Sequence, residues 1–381
     1  MNENTTNIKK NPGVIKAGLV AINLIAALLL LLSQVSPGIS PARFWMLELF
    51  SIAYPFLLLI NIGFLIYWLL RFHRFVLISA VVIIMGYDKI TQLYRPHLFS
   101  IDVVPPSNAI KIMSYNVRLF DLYNWTGNMK TRVKILSLIS KEQPTILCLQ
   151  EYYHTDNPKN HFSNNDTISR ILKNAYRHVE YGITLRETDH WGLATFSKYP
   201  IVGGGKVFYV QNKSNFGMYS DMIINGDTIR VYNVHFQSNH FKEEDYEFLE
   251  NPDSGSNEHI INGAHNIIAR LKRASIRRSL QVDELCADLQ LCKYPYIVCG
   301  DFNDPPFSYT YESVGKNLKD AFIEKGKGFG LTYSGSFAPY RIDYILHQEN
   351  FQTYRFDILK NNLSDHFPVV AWFEYKKKPK E

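Results

Sequence analysis

The chain has 381 residues and is 46% apolar, enough for more than one structural unit and a sizeable core. Its formal charge of +6 is uneven: residues 1–99 hold eight Lys/Arg against three acidic residues, and the remainder holds 33 against 32. The remainder therefore lacks the cationic excess on which sequence-independent nucleic-acid binding rests, and the four cysteines include no CxxC pair of the kind that builds a zinc site.

The front of the chain reads as membrane. Ala17–Leu32 is an apolar run that continues to about Val35, and Phe44–Leu70 is a second. Both approach or exceed the roughly 20 residues that cross a bilayer core. A third run, Phe75–Met85, is shorter and spans only with help from Gly86, Tyr87 and snorkelling Arg74 and Lys89. The expectation is three membrane helices at about 15–35, 44–70 and 74–91, within a region covering residues 1–93. A cleaved signal peptide is the alternative for the first run. Its length, the lack of a small-x-small site and the second run close behind favour a retained helix. Lys9, Lys10 and Lys16 precede helix one, and Arg71 and Arg74 lie between helices two and three. Basic residues favour the cytoplasmic side, so the N-terminus is expected inside and everything after residue 95 outside. If the third run does not span, that sidedness inverts. Glu48 is read as interfacial and Asn61 as a helix-packing residue.

Residues 94–108 carry Pro96, Pro105 and Pro106 and read as a linker. From Ala109 onward short β-prone runs recur: IKIMSYNV, TILCLQEY, GLATFSK, DMIIN, TIRVYNVHF, YIVCGDFN, RIDYILH and VVAWFEY. Helical periodicity marks Lys130–Lys141, Thr167–Ala175 and a long stretch from about Glu258 to Leu289. Asn225-Gly226 between two strand runs is a hairpin signal. Strands alternating with helices, mixed with hairpins, imply a mixed sheet in an α/β or α+β domain over residues 109–375. Residues 376–381 read as a solvated basic tail. Cys148 and Cys299 sit in strand runs as small buried hydrophobes, and Cys286 and Cys292 are either a pair or two free thiols.

Asn116, Glu151, His235, Asp301, Asn303, Asp343, Asp365 and His366 each sit at or just past the end of an apolar run. In layered α/β sheets, ligand sites form where strand ends converge. Carboxylate and amide oxygens suit Mg²⁺, with Mn²⁺ as the second candidate, better than Zn²⁺.

The ordered motifs MSYNV, LQE, NVH, GDFN, RIDY and SDHFP resemble those of the endonuclease/exonuclease/phosphatase superfamily. That group includes pancreatic-type deoxyribonucleases, abasic-site endonucleases, neutral sphingomyelinases and inositol-phosphate phosphatases. The resemblance covers about residues 109–374. It implies a four-layer sandwich, two mixed β-sheets face to face with helices outside, here preceded by about three transmembrane helices. It implies that Glu151 is the main metal ligand, with Asn116 and Asp365 beside it. His366 is then the general base or a phosphate contact, oriented by Asp343. His235 binds the phosphate from the other side or protonates the leaving oxygen. Asp301 positions or activates water, and Asn303 bonds a phosphoryl oxygen. The expected function is a membrane-anchored, Mg²⁺-dependent phosphoester hydrolase using in-line attack by water. Its expected partners are the lipid bilayer and a phosphoester: a lipid headgroup, a small phosphoester or nucleic acid. No protein partner is implied. The alternatives are an endonuclease specific for nucleic acid and a catalytically silent scaffold of the same fold. A polar insertion, Gln237–Asn257, is expected either as a substrate-selecting loop or as a mobile surface insert.

Overall fold

The computed structural model describes residues 12–96, 103–173, 175–208, 215–239, 241, 243–250, 257–335 and 340–377. Lys9 and Lys10, the middle of the expected linker, parts of the polar insertion and most of the basic tail lie outside the described residues.

Five helices lead the chain: α1 (Pro12–Val35), α2 (Pro41–Phe44), α3 (Met46–Leu70), α4 (Val76–Met85) and α5 (Tyr87–Leu93). Two spans here are long and apolar enough to cross a membrane, and a third qualifies if the bent pair α4–α5 is one span. Apolar helices packed together gain from polar contacts between them. Such a chain runs through the bundle: Trp68 Nε1 donates to Asn23 Oδ1 (3.0 Å), Asn23 Nδ2 to Ser79 Oγ (2.7 Å), and Ser79 Oγ to Asn61 Oδ1 (3.1 Å). Asn61 also donates to the Ala26 carbonyl at 2.9 Å, so it packs helix on helix. The expected helix 74–91 is broken, with a 67° bend at Gly86. A glycine stands at the break, where Gln34 packs close: a Cβ on Gly86 would lie 2.2 Å from the Gln34 amide, which donates to the Val82 carbonyl.

The remaining chain builds β1 (Ile110–Asn116), α6 (Thr131–Glu142), β2 (Ile146–Thr155), α7 (Asn164–Ile171), β3 (Tyr176–Leu185), β4 (Asp189–Ser197), β5 (Ile201–Phe208), β6 (Gly217–Ile224) and β7 (Asp227–His235). There follow α8 (Glu243–Glu250), α9 (Asn257–Leu291), β8 (Tyr296–Asp301), α10 (Tyr309–Gly315), β9 (Lys319–Asp320), α11 (Ala321–Lys325), β10 (Asp343–His347), β11 (Phe351–Ile358) and β12 (Val369–Tyr375). They form two six-stranded sheets, β11-β12-β1-β2-β4-β3 and β5-β6-β7-β8-β10-β9. Each sheet has one parallel pair, β1–β2 and β7–β8, among antiparallel neighbours.

Alternating side chains give each sheet two apolar faces. The inner faces meet in one core, where Ile112, Ile146 and Val369 of the first sheet pack with Val231, Ile297 and Ile345 of the second. The outer face of the first sheet is covered by Ile135 and Ile139 of α6 and Ile168 of α7. Val282 and Leu285 of α9, with Val314 of α10, cover the second. The result is four layers, as the motifs implied.

The expected hairpin is present: Ile224 pairs with Asp227 across Asn225 (φ 53°) and Gly226 (φ 83°). The strands β3, β5 and β11, absent from the periodicity reading, are edge strands or their neighbours and carry polar or glycine-rich sequence. The insertion is not all loop, since Glu243–Glu250 is helical. All four cysteines are free thiols, which settles Cys286 and Cys292 as unpaired.

Candidate active site

The parallel pairs fix where strand ends gather. β1 ends at Asn116, which registers with Gln150 of β2, while β7 and β8 end with His235 opposite Asp301. β10 runs antiparallel to β8, so its first residue, Asp343, pairs with Asp301. Both sheets thus deliver polar side chains to one edge of the sandwich.

Glu151 is not a strand end. β2 continues to Thr155, and its register with β4 breaks between Leu149 and Tyr152. Glu151 takes φ 46° in that bulge. A bulge re-aims a side chain, here out of the pleat and into the cavity. Asn303 (φ 53°) turns the chain after β8 in the same way. After Asn116, Arg118–Asp121 all take φ between 43° and 61°. Left-handed conformation costs an ordinary residue roughly 1–2 kcal/mol, and this turn brings the Arg118 N–H to Asn116 Oδ1 at 3.1 Å. The Arg118 guanidinium stands 3.5 Å from Asp365 and 4.8 Å from the Trp125 ring centre.

Asp301 is the hub. It is 1% exposed. Its Oδ1 accepts the Asn303 N–H at 2.8 Å, and its Oδ2 accepts from Asn116 Nδ2 at 3.0 Å and Asn303 Nδ2 at 3.2 Å. His235 Nε2 and His366 Nε2 each lie 3.6 Å from the same Oδ2. His235 Nε2 is 3.8 Å from Glu151 Oε1, and Asn116 Nδ2 is 3.4 Å from it. His366 Nδ1 sits 3.0 Å from Asp343 Oδ2, which fixes the ring's orientation. Ser364 Oγ donates to the Asn116 carbonyl at 2.9 Å, tying the last motif to the first.

Burial shapes the charges. Desolvation, then the nearby Asp365 carboxylate, pushes Glu151 up to about 7. Desolvation, with Asp343 close by, also raises Asp301. Burial disfavours a charged His366, but Asp343 and Asp301 outweigh it and hold the imidazole well above its usual range. Two acids held up beside an imidazole held charged mark a site where burial and neighbouring charges are tuned together.

Glu151, Asp301, Asn303, Asp365 and His366 line one cavity of about 190 Å³. Asn116, His235 and Asp343 stand immediately behind it, bonded or ion-paired to that lining. All eight residues singled out from the sequence therefore meet at one site. The donor set suits a hard divalent cation: carboxylates from Glu151 and Asp365 face the cavity, no thiol does, and burial with the nearby Asp365 charge raises Glu151. Asn116 presents its amide nitrogen, not its oxygen, to Glu151 and Asp301, so here it steadies those carboxylates. Asp301, Asp343 and His366 also bring ligand atoms within 4.8 Å of one another. In that trio one imidazole nitrogen is already engaged by Asp343, which describes an oriented histidine better than a ligand set.

The sequence reading missed several residues at the site. Asp304 lines the cavity and is held by Arg278 Nη2 at 2.7 Å. Gln150 Nε2 donates to Asn233 Oδ1 at 2.7 Å and so clips the two sheets together beneath the site. A polar residue inside each of two apolar runs was the available signal. Tyr333, Tyr340 and Ile52 also line the cavity. Ile52 comes from α3, more than 60 positions before the first motif, and no local pattern points to it.

The family model described as endonuclease/exonuclease/phosphatase family matches residues 113–366, and one described only as a domain of unknown function matches residues 16–93. No curated protein matches the chain. Among solved structures, the human nocturnin catalytic domain with bound sulfate is 20% identical, covering 74% of this chain and 100% of that one at a TM-score of 0.50. An endonuclease/exonuclease/phosphatase family protein from Leptotrichia buccalis is 17% identical, covering 70% of this chain and 100% of its own at 0.49. Sphingomyelinase C from Streptomyces griseocarneus is 17% identical, covering 69% of this chain and 99% of its own at 0.46. At 20% identity the likeness to the nocturnin domain is one of fold.

Proposed function

This chain belongs to the endonuclease/exonuclease/phosphatase family, whose members hydrolyse phosphoester bonds, and on that footing we propose a membrane-anchored phosphoester hydrolase that works with Mg²⁺. One observation carries the reading: Glu151, Asp301 and His366, from three separate motifs and both sheets, share one cavity.

In this reading Glu151 and Asp365 hold the cation, with Asn116 steadying Glu151. When bound, the cation supplies Lewis-acid stabilisation of negative charge on a phosphoryl oxygen. The chain's own residues do the rest. Asp301, oriented by the Asn303 N–H and Asn116, takes the proton of the attacking water. His366, kept charged and aligned by Asp343, contacts the phosphoryl group and stabilises the charge that builds there. His235, whose Nε2 lies 3.6 Å from Asp301 and 3.8 Å from Glu151, protonates the leaving oxygen. The Asn303 amide, now bonded to Asp301 and the Phe236 carbonyl, is within the cavity lining to meet a phosphoryl oxygen.

Residues 1–93 form the anchor in this reading, with residues 109–375 the catalytic unit. Lys16 lies near the start of α1 and Arg71 and Arg74 just past the end of α3, while Trp45 and Ile52 at the other end of α3 meet Lys272 and Tyr340 of the catalytic domain, which supports an extracytoplasmic site. Protease protection of the catalytic domain in intact cells tests that sidedness, and a domain shielded from external protease contradicts it. The chemical reading is tested on the full chain in detergent, with a panel of phosphomonoesters, phosphodiesters and oligonucleotides. Turnover of at least one substrate, abolished by EDTA and restored by Mg²⁺, is expected. A well-folded protein that turns over none of them overturns the reading in favour of a silent scaffold.

A further inference from the structure

The membrane helices and the catalytic cavity are built into each other. Ile52 of α3 forms part of the cavity wall, alongside Glu151, Asp301 and His366. The Tyr340 hydroxyl, also at the cavity, donates to the Ile52 carbonyl at 2.8 Å. One turn further along α3, Phe307 of the catalytic domain is fully buried against Tyr54 and Leu58, its ring 4.9 Å from that of Tyr54.

The same junction is held elsewhere. Arg341 Nη2 donates to the Gln92 carbonyl (3.2 Å), Gln92 Nε2 to Glu312 (2.9 Å), and Lys89 pairs with Glu312. Arg95 and Gly328 exchange backbone bonds at 2.9 and 2.8 Å. Glu48, read from the sequence as interfacial, is 3% exposed, with Asp304 and Arg278 as its charged neighbours.

The depth of the cavity follows from helix geometry. Phe56, Leu59 and Ile60 of α3 are exposed apolar side chains, 58%, 64% and 49% accessible, and belong in hydrocarbon. Ile52 precedes Phe56 by one turn, which is about 6 Å along the axis. The cavity therefore opens at the depth of the bilayer's headgroups, against a helix whose next turn lies in the acyl region. A phosphate in a lipid headgroup occupies that depth without leaving the membrane. A nucleic-acid polymer laid across the same strand ends would run into α3, and the catalytic domain carries no cationic excess to hold it.

We propose that the substrate is a membrane lipid phosphoester, whose phosphate enters the cavity past Ile52 while its acyl chains stay in the bilayer beside α3. This deepens, and rests on, the phosphoesterase reading above. The step is hydrolysis: the water oxygen bonds to phosphorus, the P–O bond to the departing alcohol breaks, and that alcohol takes its proton from His235 while Asp301 keeps the water's.

The test uses the full chain reconstituted with Mg²⁺ in phosphatidylcholine vesicles. Matched pairs are compared for choline, ethanolamine and glycerol headgroups and the free monoester: the diacyl lipid in the vesicle, and its water-soluble glycerophospho counterpart. At least one diacyl lipid is expected to turn over about tenfold or more faster than its soluble partner, since only the lipid is positioned by the bilayer. Ile52→Asp should lower that lipid-to-soluble ratio and Ile52→Leu should keep it. Turnover of soluble esters or oligonucleotides with no lipid cleaved overturns this proposal and leaves the phosphoesterase reading standing. An unchanged ratio in Ile52→Asp also overturns it. No turnover of either member of any pair overturns both.

Discussion

Asp301 touches more of the site than any other residue, since two amides, a backbone N–H and two imidazoles surround its carboxylate. Asp301→Asn keeps its size and removes the proton acceptor. A general base contributes roughly 10²–10⁴-fold, so kcat should fall by about that much with little change in KM. Glu151 behaves differently. Its carboxyl is held up to about 7, and a cation must displace that proton. Apparent Mg²⁺ affinity, by calorimetry, should therefore rise with pH up to about 7 and level off above. Glu151→Gln should bind weakly and lose that slope. The eight residues were legible because each ends or interrupts an apolar run. Their partners were less so. That Asn116 offers its nitrogen, or that Arg278 holds Asp304, depends on side-chain geometry and long-range pairing that spacing does not encode.

At the scale of elements, the site depends on how closely β7 and β8 approach. Gly300 has φ 143°, and a Cβ there would lie 1.9 Å from the Val234 carbonyl oxygen. Gly300→Ala must part the two strands that carry His235 and Asp301. A loss of about 3 kcal/mol or more is expected, at the large end for single substitutions, read as a lowered denaturation midpoint. A second element-scale joint is α11. Glu324 accepts from Thr353 Oγ1 at 2.6 Å and lies 3.0 Å from His347 Nε2, linking α11 to β10 and β11. Burial pushes its carboxyl up, but these bonds outweigh that and hold it below the usual 4.5. A depressed carboxyl stabilises the fold above its unfolded value and loses that contribution as pH falls through its folded value. Wild type should thus exceed Glu324→Gln by about 1 kcal/mol near neutral pH, with the gap closing below about pH 4.5. A gap that persists at low pH would mean packing, not charge, makes the difference. The long central strands, α6 and α9 were foreseeable from periodicity, and α7 was too, though it begins at Asn164 and ends at Ile171 rather than running from Thr167 to Ala175. The edge strands were not, because an edge needs no apolar alternation and β5 carries three glycines in eight residues. The break between α4 and α5 was hidden as well, since Gly86 marks it only once Gln34 is known to pack there.

For the molecule as a whole, composition alone separated a basic, apolar front from a near-neutral remainder, and motif order alone announced the four-layer sandwich. Neither revealed that the two regions share the cavity, since Ile52 and Tyr340 lie nearly 300 positions apart and carry no common pattern. Separate regions would allow the helices to be a passive tether. Shared walls make them part of the site, so cleaving the chain between residues 96 and 103 should impair turnover less than removing the helices outright, measured on protein that stays associated after the cut. The most direct measurement of the central claim is phosphoester turnover by the full chain, wild type against Glu151→Ala and His366→Ala, with EDTA and with Mg²⁺ restored. Metal-dependent turnover in wild type and a loss of about 10³-fold or more in either variant, with folding intact by circular dichroism, is the expected result. Wild-type rates in a folded Glu151→Ala, or turnover indifferent to the chelator, would contradict it.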